Sequence, residues 1–157
     1  MTTSDKLWKA IQRELVRAHD IETVILKSHL LVETQLNAAL EKRIGNNIER
    51  ARLRFIQKLE LLACMWPALK GRDSSIGARS LYEDWRELNS LRNKIAHQLS
   101  PINMRTMLVN WVTQALGYRL STIRRTSVLK RNVIKVIAFE VAFFSGRVEE
   151  WKTHSNK

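Results

Sequence analysis

Leu81-Tyr82-Glu83-Asp84-Trp85-Arg86-Glu87-Leu88-Asn89-Ser90-Leu91-Arg92-Asn93-Lys94-Ile95-Ala96-His97 is the stretch from which the rest of the chain can be read. Leu81, Trp85, Leu88 and Ile95, with Leu99 beyond, recur at three- and four-residue steps, the spacing that lines one face of an α-helix. A helix is therefore expected from about Ser80 to Gln98. Ser100-Pro101 closes it and opens the next, because proline suits a first turn and not a helix interior. With Ile95 on the core face, Arg92 lies about 60° to its side, whereas His97 falls roughly 200° away and shares the outward face with Arg86, Ser90 and Asn93.

Outward from this segment the helical pattern continues in both directions. Ser4 is the expected N-cap of a first helix carrying Leu7, Trp8, Ile11 and Leu15 on one face, which ends or kinks near His19-Asp20. A second, strongly apolar helix is expected from Ile21 to Ile44, stopped by Gly45-Asn46-Asn47. A third runs from about Ile48 to Trp66 and is ended by Pro67. Lys70-Gly71-Arg72-Asp73-Ser74-Ser75-Ile76-Gly77 is polar and twice punctuated by glycine, and reads as a mobile surface loop. The fifth helix is expected from Ile102 to about Gly117 and the sixth from about Ser121 to Trp151. The pattern predicts an all-α fold, an up-and-down bundle of five to six helices forming one domain over residues 1–157.

Composition agrees with long helices: 45% of residues are apolar and 27% charged, with only five glycines and two prolines. Lysine and arginine number 27 against 15 acids, a formal charge of +12 that favours a polyanionic partner, nucleic acid or anionic lipid. The most apolar run, Val133 to Phe144, is broken by Lys135 and Glu140 and falls short of the roughly 20 residues needed to cross a bilayer. It predicts a core helix and no membrane insertion. Met1 to Lys6 lacks the basic-then-apolar order of a secretory signal, so cytoplasmic residence is expected. Cys64, the single cysteine, cannot form an intrachain disulfide and is expected as a core thiol.

Arg92, Asn93 and His97 are the residues of the key helix with chemistry to offer. Asn93 and His97 are neighbours at i,i+4, but Arg92 and His97 diverge by roughly 140° on an ideal helix, so one copy aims them poorly at a single atom. Arg92-Asn93-Lys94-Ile95-Ala96-His97, arginine and a polar residue followed by histidine after a four-residue gap, resembles the defining motif of the HEPN superfamily. Leu26 to Glu33 is similar, more loosely, to the long early helix of bacterial HEPN-like proteins. The resemblance implies a small helical bundle whose motifs meet across a symmetric homodimer, so that two facing helices solve the aiming problem. It also implies metal-independent RNA cleavage leaving a 2′,3′-cyclic phosphate with no cofactor, in a toxin or phage-defence setting where an antitoxin or regulatory protein restrains activity.

Elementary chemistry suits those roles. Imidazole has an ordinary pKa near 6.5, which fits His97 as the base that takes the ribose 2′-OH proton. A guanidinium stays charged and grips two phosphate oxygens, which fits Arg92 as the group that stabilises the phosphorane, with Asn93 placed to position the phosphate or hold the imidazole. The plainer alternative is a histidine favoured by the helix dipole and an arginine laid over apolar neighbours.

On the second helix His29 and Glu33 fall inside the apolar face formed by Ile25, Leu26, Val32, Leu36 and Leu40, and Asn37 extends the stripe. A buried carboxylate needs a partner. Arg92 and His97 are the expected ones, with Glu33 supporting the catalytic pair; the alternative is a His29–Glu33 pair that satisfies itself. Glu140, between Phe139 and Val141, poses the same question on the last helix.

Positive charge gathers at Arg50, Arg52, Arg54 and Lys58, and again at Arg119, Arg124, Arg125, Lys130, Arg131 and Lys135. The second group, with Arg86 and Lys94 beside the motif and Tyr118 available for stacking, is the expected RNA-binding surface. Trp66, Trp85 and Trp111 are expected in the core, and Trp8 and Trp151 at a dimer interface. The competing function is a non-catalytic module that binds nucleic acid or protein through the same surface; a transcriptional regulator is a third, though no segment reads as a helix-turn-helix.

Overall fold

The computed structural model describes residues 3–45, 52–71, 79–97, 101–117 and 125–154. Among them the chain is an all-α bundle: α1 (Thr3–Val16), α2 (Ile21–Ile44), α3 (Phe55–Met65), α4 (Leu81–Ala96), α5 (Pro101–Leu116) and α6 (Thr126–His154), with a 3₁₀ turn at Pro67–Lys70. Each boundary has a local cause. Asp20 caps α2, its Oδ1 accepting from the Thr23 N–H at 2.6 Å. Gly45 ends α2 at φ 81° and ψ −176°, a backbone that side chains strongly disfavour. Ser80 and Glu83 close a reciprocal capping box at the start of α4, Ser80 Oγ accepting at 3.2 Å and Glu83 Oε2 at 2.9 Å.

The expected starts of α1 and α3 are corrected. Helix α1 already begins at Thr3, so Ser4 lies inside it and not at its cap. Helix α3 starts at Phe55, because Arg52 adopts φ 47°, a left-handed backbone that no right-handed helix contains, and Arg54 is extended; Ile48 to Ala51, where the helix is expected to begin, lie outside the described residues. The glycine-punctuated loop from Arg72 to Gly77 lies outside the described residues, as does Tyr118.

Helix α6 packs along α1 and also against α2 and α5, while α4 touches α2, α3 and α5. Trp85 of α4 and Phe144 of α6 meet edge to face at 4.8 Å in the fully buried centre. Trp111 is buried with them, whereas Trp66 is half-buried and leans on Phe144. Trp8 packs edge-on against Phe139 of its own chain, and the Trp151 side chain lies outside the description. Cys64 is exposed, which corrects its expected place in the core: on α3 it faces away from Leu59, Leu62 and Ala63, the residues that are buried. No described helix is long and apolar enough to cross a membrane.

The expected core stripe of α4 holds for Leu81, Trp85 and Leu88, with Leu91 also buried and Ile95 half-buried. It contains a carboxylate too. Asp84 is 1% exposed and faces Glu140 of α6, 2% exposed, with which it shares a hydrogen bond. Glu140 Oε2 also accepts from Trp85 Nε1 at 3.1 Å, which answers the question its sequence position raised. Arg79 Nε stands 3.8 Å from Asp84 Oδ1, near enough for attraction but too far for a hydrogen bond. Burial pushes Asp84 up to about 6, and burial beside Asp84 holds Glu140 well above the carboxylate range.

Candidate functional site

Helices α2 and α4 pack side by side, and the first turn of α3 closes the space between them to leave an open groove of about 630 Å³. Helix α2 contributes His29 and Glu33, and α4 contributes Asn89, Arg92 and Asn93. The spacing of the last three, at i, i+3 and i+4, puts them on one helical face. Arg54, Phe55, Ile56 and Gln57 form the remaining wall. Gln57 fixes that turn, its Oε1 accepting from the Arg54 backbone N–H at 2.8 Å.

His29 is 6% exposed and lies 4.4 Å from the Phe55 ring, tilted by 31°. Its Nε2 stands 3.0 Å from Asn89 Oδ1. Burial lowers the His29 pKa; the Asn89 bond and the Glu33 charge resist that shift, and the nearby Arg92 and Lys58 cations add to it. The imidazole is therefore neutral near pH 7, with its proton on the nitrogen that faces the Asn89 oxygen.

The partner of Glu33 is Lys58 of α3, whose Nζ donates to Oε1 at 2.7 Å. This corrects two expectations: Glu33 is held by neither Arg92 nor His97, and His29 and Glu33 do not simply satisfy each other, since each has its own partner on another helix. Arg92 is exposed, and its Nη1 donates to Asn93 Oδ1 at 3.1 Å. Among the described residues no carboxylate pairs with Arg92 or with the Arg54 guanidinium.

His97 stands elsewhere. Helix α4 ends at Ala96 rather than Gln98, and His97 is its C-cap at φ −100° and ψ 22°, exposed, its backbone N–H reaching back to the carbonyls of Asn93 and Lys94 at 3.1 and 3.2 Å. His97 is absent from the groove lining. The chain thus brings Arg92, Asn93, His29 and Glu33 together and leaves His97 exposed outside the groove.

No family model, curated protein or solved structure matches this chain.

The remaining basic residues fall into distinct settings. Arg86 is exposed, with its guanidinium 5.7 Å from the Tyr82 ring. Lys94 is half-buried and turns toward Met107 Sδ at 3.4 Å. Lys130 caps the end of α1 by donating to the carbonyls of Val16 and Ala18, so its ammonium is engaged in the fold. Arg125, Arg131 and Lys135 are exposed. Arg119, Arg124 and Arg50 lie outside the described residues. Among the described residues no group of three His, Cys, Asp or Glu side chains is placed to hold a metal ion.

Sequence reasoning missed Asn89 as the partner of His29, Lys58 as the partner of Glu33, and Arg54 as a wall of the groove. Asn89 was detectable, three residues before Arg92 and four before Asn93 on one helical face. The Lys58 and Arg54 positions depend on how α3 meets α2, for which the sequence carries no local signal.

Proposed function

We propose that the chain is a metal-independent endoribonuclease of HEPN type that acts as a homodimer, in a toxin or phage-defence role, under the restraint of an antitoxin or regulatory protein. The observation that carries this reading is the state of Arg92: a guanidinium with no carboxylate partner among the described residues, beside Asn93 and a neutral imidazole, in a groove on a chain of net charge +12. Such a group is ready for a phosphate. His97 takes the 2′-OH proton as the ribose oxygen attacks the adjacent phosphorus. Arg92 holds the non-bridging oxygens as charge builds on the phosphorane, and the 5′-oxygen departs with a proton taken from solvent, leaving a 2′,3′-cyclic phosphate, while His97 returns its proton to water.

The second copy is needed for His97. In one subunit this residue caps α4 outside the groove that Arg92 lines, so a neighbouring chain is the natural source of the imidazole that faces Arg92. Leu26 and Leu30, 39% and 62% exposed on α2 beside Glu33, offer an apolar surface next to the groove on which that chain can pack. The Glu33–Lys58 pair and the His29–Asn89 contact hold the walls in place as supporting structure.

The position of His97 also favours a second reading, a groove that binds RNA without cutting it. Incubating purified protein with labelled RNA in EDTA separates the two. Cleavage to a cyclic phosphate, abolished in Arg92→Ala and in His97→Ala chains that still fold and pair, supports the nuclease. Binding without cleavage by the parent chain supports the module.

A further inference from the structure

We infer that Arg54, at the start of α3, holds a second phosphate of the same RNA strand, next to the phosphate held by Arg92; this rests on the reading above that Arg92 engages RNA. Arg54 and Arg92 line one groove from different helices. Two arginines in the lining of one groove add like charge to it, which a free carboxylate in the same lining would offset. Here the single carboxylate of the lining, Glu33, is already bound to Lys58 at 2.7 Å. His29 is neutral and bonded to Asn89, so it offers no counter-charge. The groove lining therefore carries two arginines that no carboxylate pairs with among the described residues.

Size and lining narrow the choice of anion. At about 630 Å³ the groove is within the range of sites that enclose a drug-sized molecule, and much larger than one inorganic anion fills. Its walls add the amide side chains of Gln57 and Asn93 and the apolar edge of Ile56 to the two guanidiniums. Guanidinium forks match phosphate oxygens two at a time, and amides and apolar edges suit the sugar and base between successive phosphates. A nucleotide unit with a phosphate at each end satisfies both cations at once. Arg54 thereby fixes the register of the strand, while Arg92 faces the phosphate at which cleavage occurs.

The test is the salt dependence of binding, measured by fluorescence anisotropy with a labelled 2′-O-methyl oligoribonucleotide that cannot be cleaved. Arg54→Gln should weaken binding roughly tenfold at low salt and reduce the slope of log K against log salt by about 0.7, the loss of one single-strand phosphate contact. Arg54→Lys should keep most of the slope. Arg13→Gln, an exposed arginine on α1 outside the groove, removes the same formal charge and should leave the slope near that of the parent. Equal slopes for Arg54→Gln and Arg13→Gln would overturn the inference. If Arg92→Gln lowers the slope and Arg54→Gln does not, only the Arg54 assignment falls. If the parent does not bind, or neither groove variant changes the slope, the RNA reading of Arg92 falls with it.

Discussion

Nε2 of His29 stands 3.0 Å from Oδ1 of Asn89, and through this contact α2 is tied to α4 at the wall of the groove that Arg92 lines. The imidazole is nearly sealed from solvent. The Asn89 contact therefore sets both its tautomer and much of the local cost of losing that partner.

Replacing Asn89 by alanine should destabilise the fold by about 1–3 kcal/mol, because it leaves a buried ring N–H without an acceptor. The urea midpoint at pH 7.5 reads the effect, and an unchanged midpoint would mean that the contact carries no stability.

The His29 pKa also predicts a pH effect of definite sign. Burial lowers it below 6.5 in the folded chain, so the unfolded chain binds the extra proton first as the pH falls. The His29 contribution is constant above about pH 6.5 and is lost progressively below it. A His29→Gln chain should lose less stability than the parent between pH 7 and pH 5, measured by urea denaturation at each pH. A parent and variant that fall in parallel would contradict the assignment.

Asp84 and Glu140 act in the opposite direction. Their folded pKa values lie above the ordinary ones, Asp84 at about 6 against 3.8, so the pair is best tolerated at low pH and becomes costly as the pH rises. Glu140→Gln keeps an acceptor for Trp85 Nε1 and removes one of the two acids. It should stabilise the protein by about 1–3 kcal/mol at pH 7.5, with the gain shrinking toward pH 4.5. A variant less stable than the parent at both pH values would show that the carboxyl pair is not under strain.

Glu33 and Lys58 should be coupled. Their side chains are only 29% and 12% exposed, which reduces solvent screening of the pair. A double-mutant cycle with Glu33→Gln and Lys58→Met should give a coupling energy of about 1 kcal/mol. Strict additivity would make the contact incidental.

Most of the fold was legible because it rests on periodicity and punctuation. The Ile21 and Ile44 ends of α2 follow from the Asp20 cap and Gly45, and the core face of α4 from the spacing of Leu81, Trp85 and Leu88. The start of α3 was hidden because nothing in Ile48 to Arg54 announces the left-handed backbone at Arg52. Asp84 was hidden for a different reason: a first-turn acid normally serves the helix dipole from the surface, and only the packing of α6 turns it into a buried carboxyl beside Glu140. In the site, the need of Glu33 for a cation was readable from its place in an apolar face, while the identity of that cation depends on tertiary packing. His97 is exposed, as its outward place on the wheel implies, but it is also the residue at which α4 stops, which periodicity does not announce.

The central claim is that Arg92 of one chain and His97 of another form one RNA-cleaving site, and mixing two inactive chains tests it most directly. Arg92→Ala and His97→Ala chains should each be inert toward labelled RNA in EDTA. Unfolded and refolded together, they should recover up to about a quarter of the parent activity, since half of the dimers then carry one intact site of two. Cleavage by either variant alone at the rate of the parent, or a mixture that pairs and stays inert, would contradict the account.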